Sequence, residues 1–163
     1  MEDLTPLARL QRTSQGDREA FPVGILDECA DALCLFAGGF LGRQDAAWIA
    51  EADLIATCVD FRAEYLEEMA AMYPEDWNFL QADVYAVVPG WIGQVACDLV
   101  TVDCPSGHFA RCAELVETWC ALARRFVVLG AGPMTQVEAP DGWRILERRN
   151  RSRLADWAVL ERA

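Results

Sequence analysis

The sequence has no lysine, and its charge is strongly one-sided. All 14 basic residues are arginines, against 26 Asp and Glu residues, for a formal net charge of −12. An acidic body disfavours broad contact with a phosphate backbone, so a nucleic-acid partner is not expected. The last twenty residues are the exception, because six arginines stand there against three acids. The turn at residues 148–153 therefore leaves a local phosphate contact open, beside the simpler interpretation of a solvated hairpin turn.

Metal ligands are also few. His108 is the only histidine, and no C-x-x-C pair occurs, so we expect no metal site. The seven cysteines are an odd number, and most lie in apolar runs or at helical spacing. We interpret these as reduced, buried thiols in a cytosol-like compartment: Cys34, Cys58, Cys97, Cys112 and Cys120.

Signals for a membrane or for secretion are missing as well. No apolar run approaches the roughly 20 residues that a helix needs to cross a bilayer. The N-terminal residues are polar and carry mixed charge, which is not the pattern of a secretory signal. We therefore expect a cytoplasmic protein with no membrane partner.

The length and the order of apolar runs indicate the fold class. A chain of 163 residues is expected to form a single domain, here over residues 1–163 with an N-terminal helical extension at 1–21. Apolar strand-like runs at 32–37, 54–59, 78–82, 98–102 and 126–129 alternate with helical segments at 43–51, 62–73, 90–96 and 109–123. Short helices are also expected at 6–15 and 22–31. Two strand-like runs, 143–149 and 155–161, close the chain. The pattern predicts a three-layer α/β fold, with a mostly parallel sheet that ends in an antiparallel β-hairpin.

A glycine-rich turn gives the first indication of a ligand. An apolar run ends at Phe36 and is followed by the turn A-G-G-F-L-G, a helical segment, and a second apolar run that ends on Asp60. Strand, tight turn, helix, strand and carboxylate in this order are typical of a Rossmann-type pocket for an adenosine-containing cofactor.

Four segments together resemble the motifs of one family. They are LFAGGFLGR, IATCVDF, LQADVY and DLVTVDCPSG, and they are similar to the first four motifs of the class I S-adenosylmethionine-dependent methyltransferases. The closing hairpin is also a feature of that fold. The resemblance covers roughly residues 22–162 and implies a Rossmann-like methyltransferase fold with S-adenosylmethionine as cofactor.

The resemblance also implies where the cofactor would lie. The turn would follow its sugar and methionine portion, Asp60 would accept hydrogen bonds from the ribose hydroxyls, and Phe61 would pack on the adenine. Asp83 would accept from the adenine amino group, beside the apolar side chain of Val84. The complete set of expected cofactor-binding residues is Phe36, Ala37, Gly38, Gly39, Asp60, Phe61, Asp83, Val84 and Asp103.

Methyl transfer to oxygen or nitrogen needs a proton acceptor near the transferred group. The loop after the fourth strand supplies two candidate catalytic residues, Asp103 and His108. Alternatively, Asp103 only contacts cofactor, and His108 is an ordinary loop residue or helix cap. A minor alternative is a nucleophilic Cys104, since cytosine-C5 methyltransferases use a cysteine in this loop; here, however, the cysteine precedes Pro105 instead of following a proline.

The sequence departs from the family pattern in three places. The acid that usually opens the first motif is absent, the glycines read G-G-x-x-G, and about twelve residues replace the helix after the fifth strand. The lost helix predicts an exposed apolar edge that a partner or a second copy would cover. The predicted function is methyl transfer to an unidentified small-molecule, sugar or protein acceptor. The alternatives are a non-catalytic methyltransferase-like domain for binding or assembly, and a nucleic-acid methyltransferase.

Overall fold

Seven strands form one mixed sheet in the computed structural model, which describes residues 21–105, 107–131, 137–150 and 156–163. The strand order is β3-β2-β1-β4-β5-β7-β6. The strands are β1 (Asp31–Leu35), β2 (Ile55–Asp60), β3 (Asn78–Gln81), β4 (Cys97–Asp103), β5 (Ala123–Ala131), β6 (Trp143–Asn150) and β7 (Asp156–Arg162). The first five are parallel, and β7 runs antiparallel to both β5 and β6. This confirms the predicted α/β fold with its closing hairpin.

Helices cover both faces of the sheet. In the described residues a 3-10 helix (Val23–Glu28) precedes β1, and five α-helices follow: α1 (Phe40–Glu51), α2 (Ala63–Ala70), α3 (Val84–Trp91), α4 (Phe109–Glu114) and α5 (Val116–Ala121). The helix expected at 109–123 is thus two short helices, which meet at Leu115, where φ is −94° and ψ is 18°.

The helix expected at 90–96 was placed too late in the chain. It begins at Val84 because the carboxylate of Asp83 accepts a hydrogen bond from the Tyr85 backbone N–H and so caps the first turn. Pro89 lies inside this helix. It removes one backbone donor, and the helix ends two residues later, at Trp91.

Two apolar cores lie on opposite faces of the sheet. On one face, side chains of α3, α4 and α5 such as Val88, Cys112 and Trp119 pack on Val100 and Val102 of β4. On the other face, the 3-10 helix, α1 and α2 pack on alternate residues of the same strands, including Leu99. Burial on both faces explains why the parallel strands read as continuous apolar runs.

The order of strands reverses beside β1, which lies between β2 and β4. At its carboxyl end, Leu35 is in register with Val59 on one side and Val102 on the other. Open α/β sheets bind ligands at such a reversal, outside the carboxyl ends of the strands. The turn after β1 and the carboxylates that end β2 and β4 therefore meet at one edge.

The apolar side chains of β7 that the structure describes are buried, although the loss of a helix after β5 predicted an exposed apolar edge. All four residues of β7 from Trp157 to Leu160 are buried. On one face Phe21 packs edge-on against Trp157. On the other face Ala158 and Leu160 lie in the same apolar core as Trp119 of α5. On β6 the exposed large apolar residue is Leu146, which is the bulge residue between Ile145 and Glu147. A partner or second copy on this edge remains a prediction.

Three predictions fall wholly or partly outside the described residues: the N-terminal helical extension at 1–21 except for residue 21, the helix at 6–15 within it, and residues 151–153 of the arginine-rich turn. Of residues 131–142, the described positions 137–142 form no helix. Within the described ranges, no helix has the length and apolar character required to cross a membrane.

Candidate functional site

The glycine-rich turn folds back against the end of β2. The backbone N–H of Ala37 donates to the carbonyl of Val59 at 3.1 Å, and that of Gly39 donates to the carbonyl of Phe36 at 3.3 Å. Phe36 has a φ of 58°, the left-handed region that a non-glycine residue seldom adopts. The side chains of Phe36 and Ala37 are buried, so this turn offers a ligand mainly its backbone.

Two glycines of the turn are required by close contacts. A Cβ on Gly38 would lie 2.9 Å from Cβ of Tyr65 and 3.0 Å from Cγ of Asp60. A Cβ on Gly42, in the first turn of α1, would lie 2.5 Å from the carbonyl oxygen of Phe36. Gly42 therefore lets the helix approach the strand, as the last glycine of a dinucleotide-binding turn does. Gly39 has room for a Cβ, with its nearest neighbour at 3.6 Å.

Asp60 ends β2 and is only 1% exposed. Its Oδ2 accepts from the backbone N–H of Gly38 at 2.9 Å and from Nη2 of Arg62 at 3.2 Å. Its Oδ1 accepts from the backbone N–H of Arg62 at 2.9 Å and from Nε of Arg62 at 3.0 Å. A carboxylate has about four acceptor positions, so these four bonds occupy all of them. The hydrogen bond to Asp60 raises the pKa of Arg62.

Aromatic rings hold the Arg62 side chain in place. Its guanidinium lies 4.5 Å from the ring centroid of Tyr65 and 5.2 Å from that of Phe61. Arg43 lies over the same Tyr65 ring at 4.9 Å. Phe61 is 60% exposed, the largest exposed fraction of any large apolar side chain in the described ranges. Sequence reasoning missed Arg62; its only signal was an arginine two residues after the expected ribose acceptor.

The residues expected to surround the adenine are divided between surface and core. Asp83 is exposed at the rim, where its Oδ1 caps α3. Val84 is buried in the core beneath α3, so its side chain contributes packing more than pocket wall. Phe61 and Asp83 follow neighbouring strands β2 and β3, which are paired up to Asp60 and Gln81. The sheet therefore brings them to the same corner of the edge.

Asp103, the first candidate base, is buried at the end of β4. A Cβ on its β5 neighbour Gly130 would lie 2.9 Å from Asp103 Oδ1 and 3.2 Å from the Trp157 indole. Because side chains alternate along a strand, Asp103 lies on the face of Leu99 and Trp157. That face is opposite to the one carrying the second candidate.

His108, the second candidate base, is exposed just before α4 and pairs with a tyrosine that the sequence did not indicate. Its Nδ1 lies 3.0 Å from the hydroxyl of Tyr85. The Tyr85 ring also packs against Phe36 of the glycine-rich turn at 5.4 Å and lies under the guanidinium of Arg111 at 3.5 Å. Burial raises the pKa of Tyr85, and the Arg111 charge opposes that rise. The hydroxyl therefore stays protonated at neutral pH.

A disulfide joins Cys104 to Cys112, with Cα atoms 6.3 Å apart. Our interpretation of Cys112 as a reduced thiol was therefore wrong. The sequence did not show that the loop after β4 folds back, so that α4 returns beside the strand end. The bond also removes Cys104 as a free nucleophile. The hydroxyl of Tyr85 lies 3.5 Å from Cys112 Sγ. The remaining cysteines are free thiols: Cys29, Cys34, Cys58, Cys97 and Cys120.

The described residues bring no three His, Cys, Asp or Glu side chains together in an arrangement that could hold a metal ion. The polar groups at this edge are carboxylates, an imidazole, a phenol and two arginines.

Comparison with solved structures places this fold among methyltransferases. A proposed methylase from Haemophilus influenzae is 13% identical, with a TM-score of 0.64 over 85% of this chain and 84% of the other. Magnesium protoporphyrin IX methyltransferase from Synechocystis, with bound S-adenosylmethionine, is 13% identical, with a TM-score of 0.63 over 96% and 84%.

A third similar structure is an O-methyltransferase of tomaymycin synthesis from Streptomyces achromogenes, also in complex with S-adenosylmethionine. It is 15% identical, with a TM-score of 0.59 over 86% of this chain and 76% of the other. No protein-family model and no curated protein sequence matches the chain. The chain thus has the class I methyltransferase fold.

Proposed function

We propose that this protein is an S-adenosylmethionine-dependent methyltransferase. The observation that carries the proposal is the corner formed after β2 and β3, where a buried carboxylate (Asp60), an exposed ring (Phe61) and an exposed carboxylate (Asp83) lie at the strand ends. These groups suit a ribose, the face of an adenine and its amino group. Two structures of the same fold carry this cofactor.

The cofactor fits this corner on one condition, which concerns Arg62. The backbone donors of Gly38 and Arg62 each use one acceptor position, on Oδ2 and Oδ1 respectively. The side chain of Arg62 uses the other two. Departure of that side chain frees one position on each oxygen, which matches the two hydroxyls of a ribose. We therefore propose that Arg62 leaves Asp60 when ligand binds.

The cofactor would supply an electrophilic methyl group on a sulfonium, and the protein's own residues would orient the acceptor and take its proton. His108 is the better placed of the two candidate bases, because it is exposed at the strand edge and held by Tyr85. Asp103 is buried on the opposite face, beside Gly130. We assign it a role in shaping the strand end.

The fold leaves the acceptor open, because one fold serves many chemistries. One similar structure is named for a magnesium protoporphyrin and another for tomaymycin synthesis. We propose a small-molecule, sugar or protein acceptor for this chain.

A second candidate function is a methyltransferase-like domain that binds a partner without catalysis. The saturated carboxylate of Asp60 favours it, since a permanent ion pair with Arg62 would exclude a ribose. The two candidates differ in one property: only the enzyme must bind S-adenosylmethionine and its product S-adenosylhomocysteine.

Calorimetric titration with both compounds tests the proposal. We expect saturable binding to the wild type, and binding at least about tenfold weaker for Asp60→Asn, which loses a charged acceptor. Asp76→Asn, an exposed acid before β3, is the matched control and should bind as the wild type does. Circular dichroism verifies that each variant is folded. No heat from the folded wild type at about 1 mM ligand would leave the binding domain as the better account.

A further inference from the structure

Arg111 differs from the other arginines whose side chains are described. Within the described ranges, no carboxylate and no carbonyl oxygen bonds to its guanidinium. Each of the others bonds to at least one such group: Arg43 to Glu68, Arg62 to Asp60, Arg124 to Asp31 and Asp98, Arg125 to Glu28, Arg144 to Glu161, Arg148 to the carbonyl of Val137, and Arg162 to the carbonyl of Ala123.

Arg111 is nevertheless held in one place. Its guanidinium lies 3.5 Å from the centroid of the Tyr85 ring, and a cation on an aromatic face is stabilised without using its N–H donors. The next residue, Cys112, is bonded through its sulfur to Cys104 at the end of β4. The short helix α4 is thereby attached to the strand edge, and Arg111 with it.

The same tyrosine holds His108. One face of Tyr85 carries the charge of Arg111, while its hydroxyl contacts Nδ1 of His108 at 3.0 Å. The Arg111 guanidinium, whose N–H groups remain able to donate, is therefore separated from the candidate base His108 by the side chain of Tyr85. In a chain of net charge −12, an anionic molecule is repelled by most of the surface, so a local arginine decides whether it binds.

We propose that Arg111 binds an anionic group of the methyl acceptor, a carboxylate or a phosphate, and that Tyr85 fixes the spacing between this anion and His108. That the anion belongs to a methyl acceptor rests on the proposed function, whereas the anion site itself does not. Guanidinium groups recognise carboxylate and phosphate through paired N–H donors. Arg111 is thus a specificity-determining residue and Tyr85 a positioning residue.

The only histidine in the chain makes the test direct, because His108 gives a single imidazole Cε1–H resonance in NMR spectra. Three probes of similar size would be titrated: 4-hydroxybenzoate, phenyl phosphate and the neutral 4-hydroxybenzamide. We expect saturable shifts of the His108 resonance with one or both anions and none with the amide. The two anions separate carboxylate from phosphate recognition.

Variants assign the effect to the named residues. Arg111→Ala should weaken binding of the anion by at least about tenfold, whereas Arg144→Ala, a surface arginine paired with Glu161 on the hairpin, should bind as the wild type does. Tyr85→Phe keeps the ring under Arg111 and removes the hydroxyl. It should retain the anion, but the anion should shift the His108 resonance less than in the wild type, because the hydroxyl that holds His108 at 3.0 Å is gone.

The proposal is overturned if neither anion moves the resonance in the wild type, if the amide binds equally well, or if Arg111→Ala binds like the wild type. An anion-induced shift of the His108 resonance in Tyr85→Phe equal to that in the wild type would refute the positioning role. All titrations would be made with and without S-adenosylhomocysteine. Failure of that compound to bind contradicts the proposed function, while the response to the anions tests Arg111 by itself.

Discussion

Arg62 and Asp60 form a two-point ion pair at the carboxyl end of β2, with Nε 3.0 Å from Oδ1 and Nη2 3.2 Å from Oδ2. Asp60 is buried, whereas the side chain of Arg62 is partly exposed. The carboxylate therefore depends on the side chain of Arg62 for two of its four hydrogen bonds, and that side chain has a path towards solvent. The same pair stabilises this strand edge and uses the two acceptor positions that a ribose would need.

Removal of this pair is expected to destabilise the ligand-free protein. Arg62→Ala leaves Asp60 buried with two bonds fewer, and we expect the free energy of unfolding to fall by about 1–3 kcal/mol. Arg43→Ala is the matched control, because Arg43 lies over the same Tyr65 ring but pairs with the exposed Glu68, a contact worth less than about 1 kcal/mol. Urea unfolding measures both. Equal losses would show that the ion pair adds no stability.

The contact at Gly42 predicts a large effect of one methyl group. Gly42→Ala places a Cβ 2.5 Å from a backbone oxygen that cannot move without the turn, and overpacking of this kind costs about 1–3 kcal/mol. Gly90→Ala in α3 has open space around its Cβ and should be neutral or stabilising, since alanine favours helix. The melting temperatures of the two variants should shift in different directions, or by clearly different amounts, relative to the wild type. A Gly42→Ala variant with the melting temperature of the wild type would contradict the close contact between Gly42 and the carbonyl oxygen of Phe36.

The disulfide predicts a fixed number of reactive thiols. After denaturation without reductant, the purified protein should take up five equivalents of a thiol-alkylating reagent, one for each free cysteine. After reduction it should take up seven, the total in the sequence. Mass spectrometry counts the adducts. Seven adducts without reductant would mean that Cys104 and Cys112 are unbonded in the purified protein.

A charge cluster at the opposite end of the sheet predicts a pH effect on stability. The backbone N–H of Ala30 and the side chain of Arg124 lower the pKa of Asp98 below its ordinary value. A lowered pKa in the folded protein gives stability that is present above the unfolded pKa and lost as the pH falls through the folded one. Asp98→Asn should therefore cost about 1 kcal/mol near neutral pH.

The stability cost of Asp98→Asn should shrink as the pH is lowered from about 7 towards about 3, because Asp98 of the wild type is then protonated and loses its charge as well. Urea unfolding over this range, with Asp76→Asn as control, measures the difference between each variant and the wild type. A cost for Asp98→Asn that stays constant with pH would show that the ionised carboxylate contributes no stability there.

The fold followed from sequence because its determinants are local and periodic. In β4, residues 99–102 (LVTV) are all buried and three of the four are apolar, as expected of a strand covered on both faces. The segment after β1 has a glycine, Gly42, at the point where α1 approaches the strand. The wrong position predicted for α3 also has a local cause. Asp83 was assigned only to a ligand, although an acid at that position also caps a helix.

The contacts at the site were not available from sequence, because they join distant elements or depend on side-chain conformation. Tyr85 and His108 come from α3 and from the loop after β4, and Cys104 meets Cys112 only because that loop reverses. Arg62 is two residues from Asp60, yet its return to the carboxylate depends on stacking over Tyr65. The sequence indicated which carboxylates reach the edge but could not show that one of them is already saturated.

The most direct test of the account is a calorimetric titration of S-adenosylhomocysteine into the wild type and Arg62→Ala under identical conditions. We predict saturable binding to both proteins, with a dissociation constant at least about tenfold lower for Arg62→Ala, because the ribose then no longer competes with the guanidinium for Asp60. Binding to the variant that is no tighter than to the wild type, or no binding to either protein at about 1 mM, would contradict it.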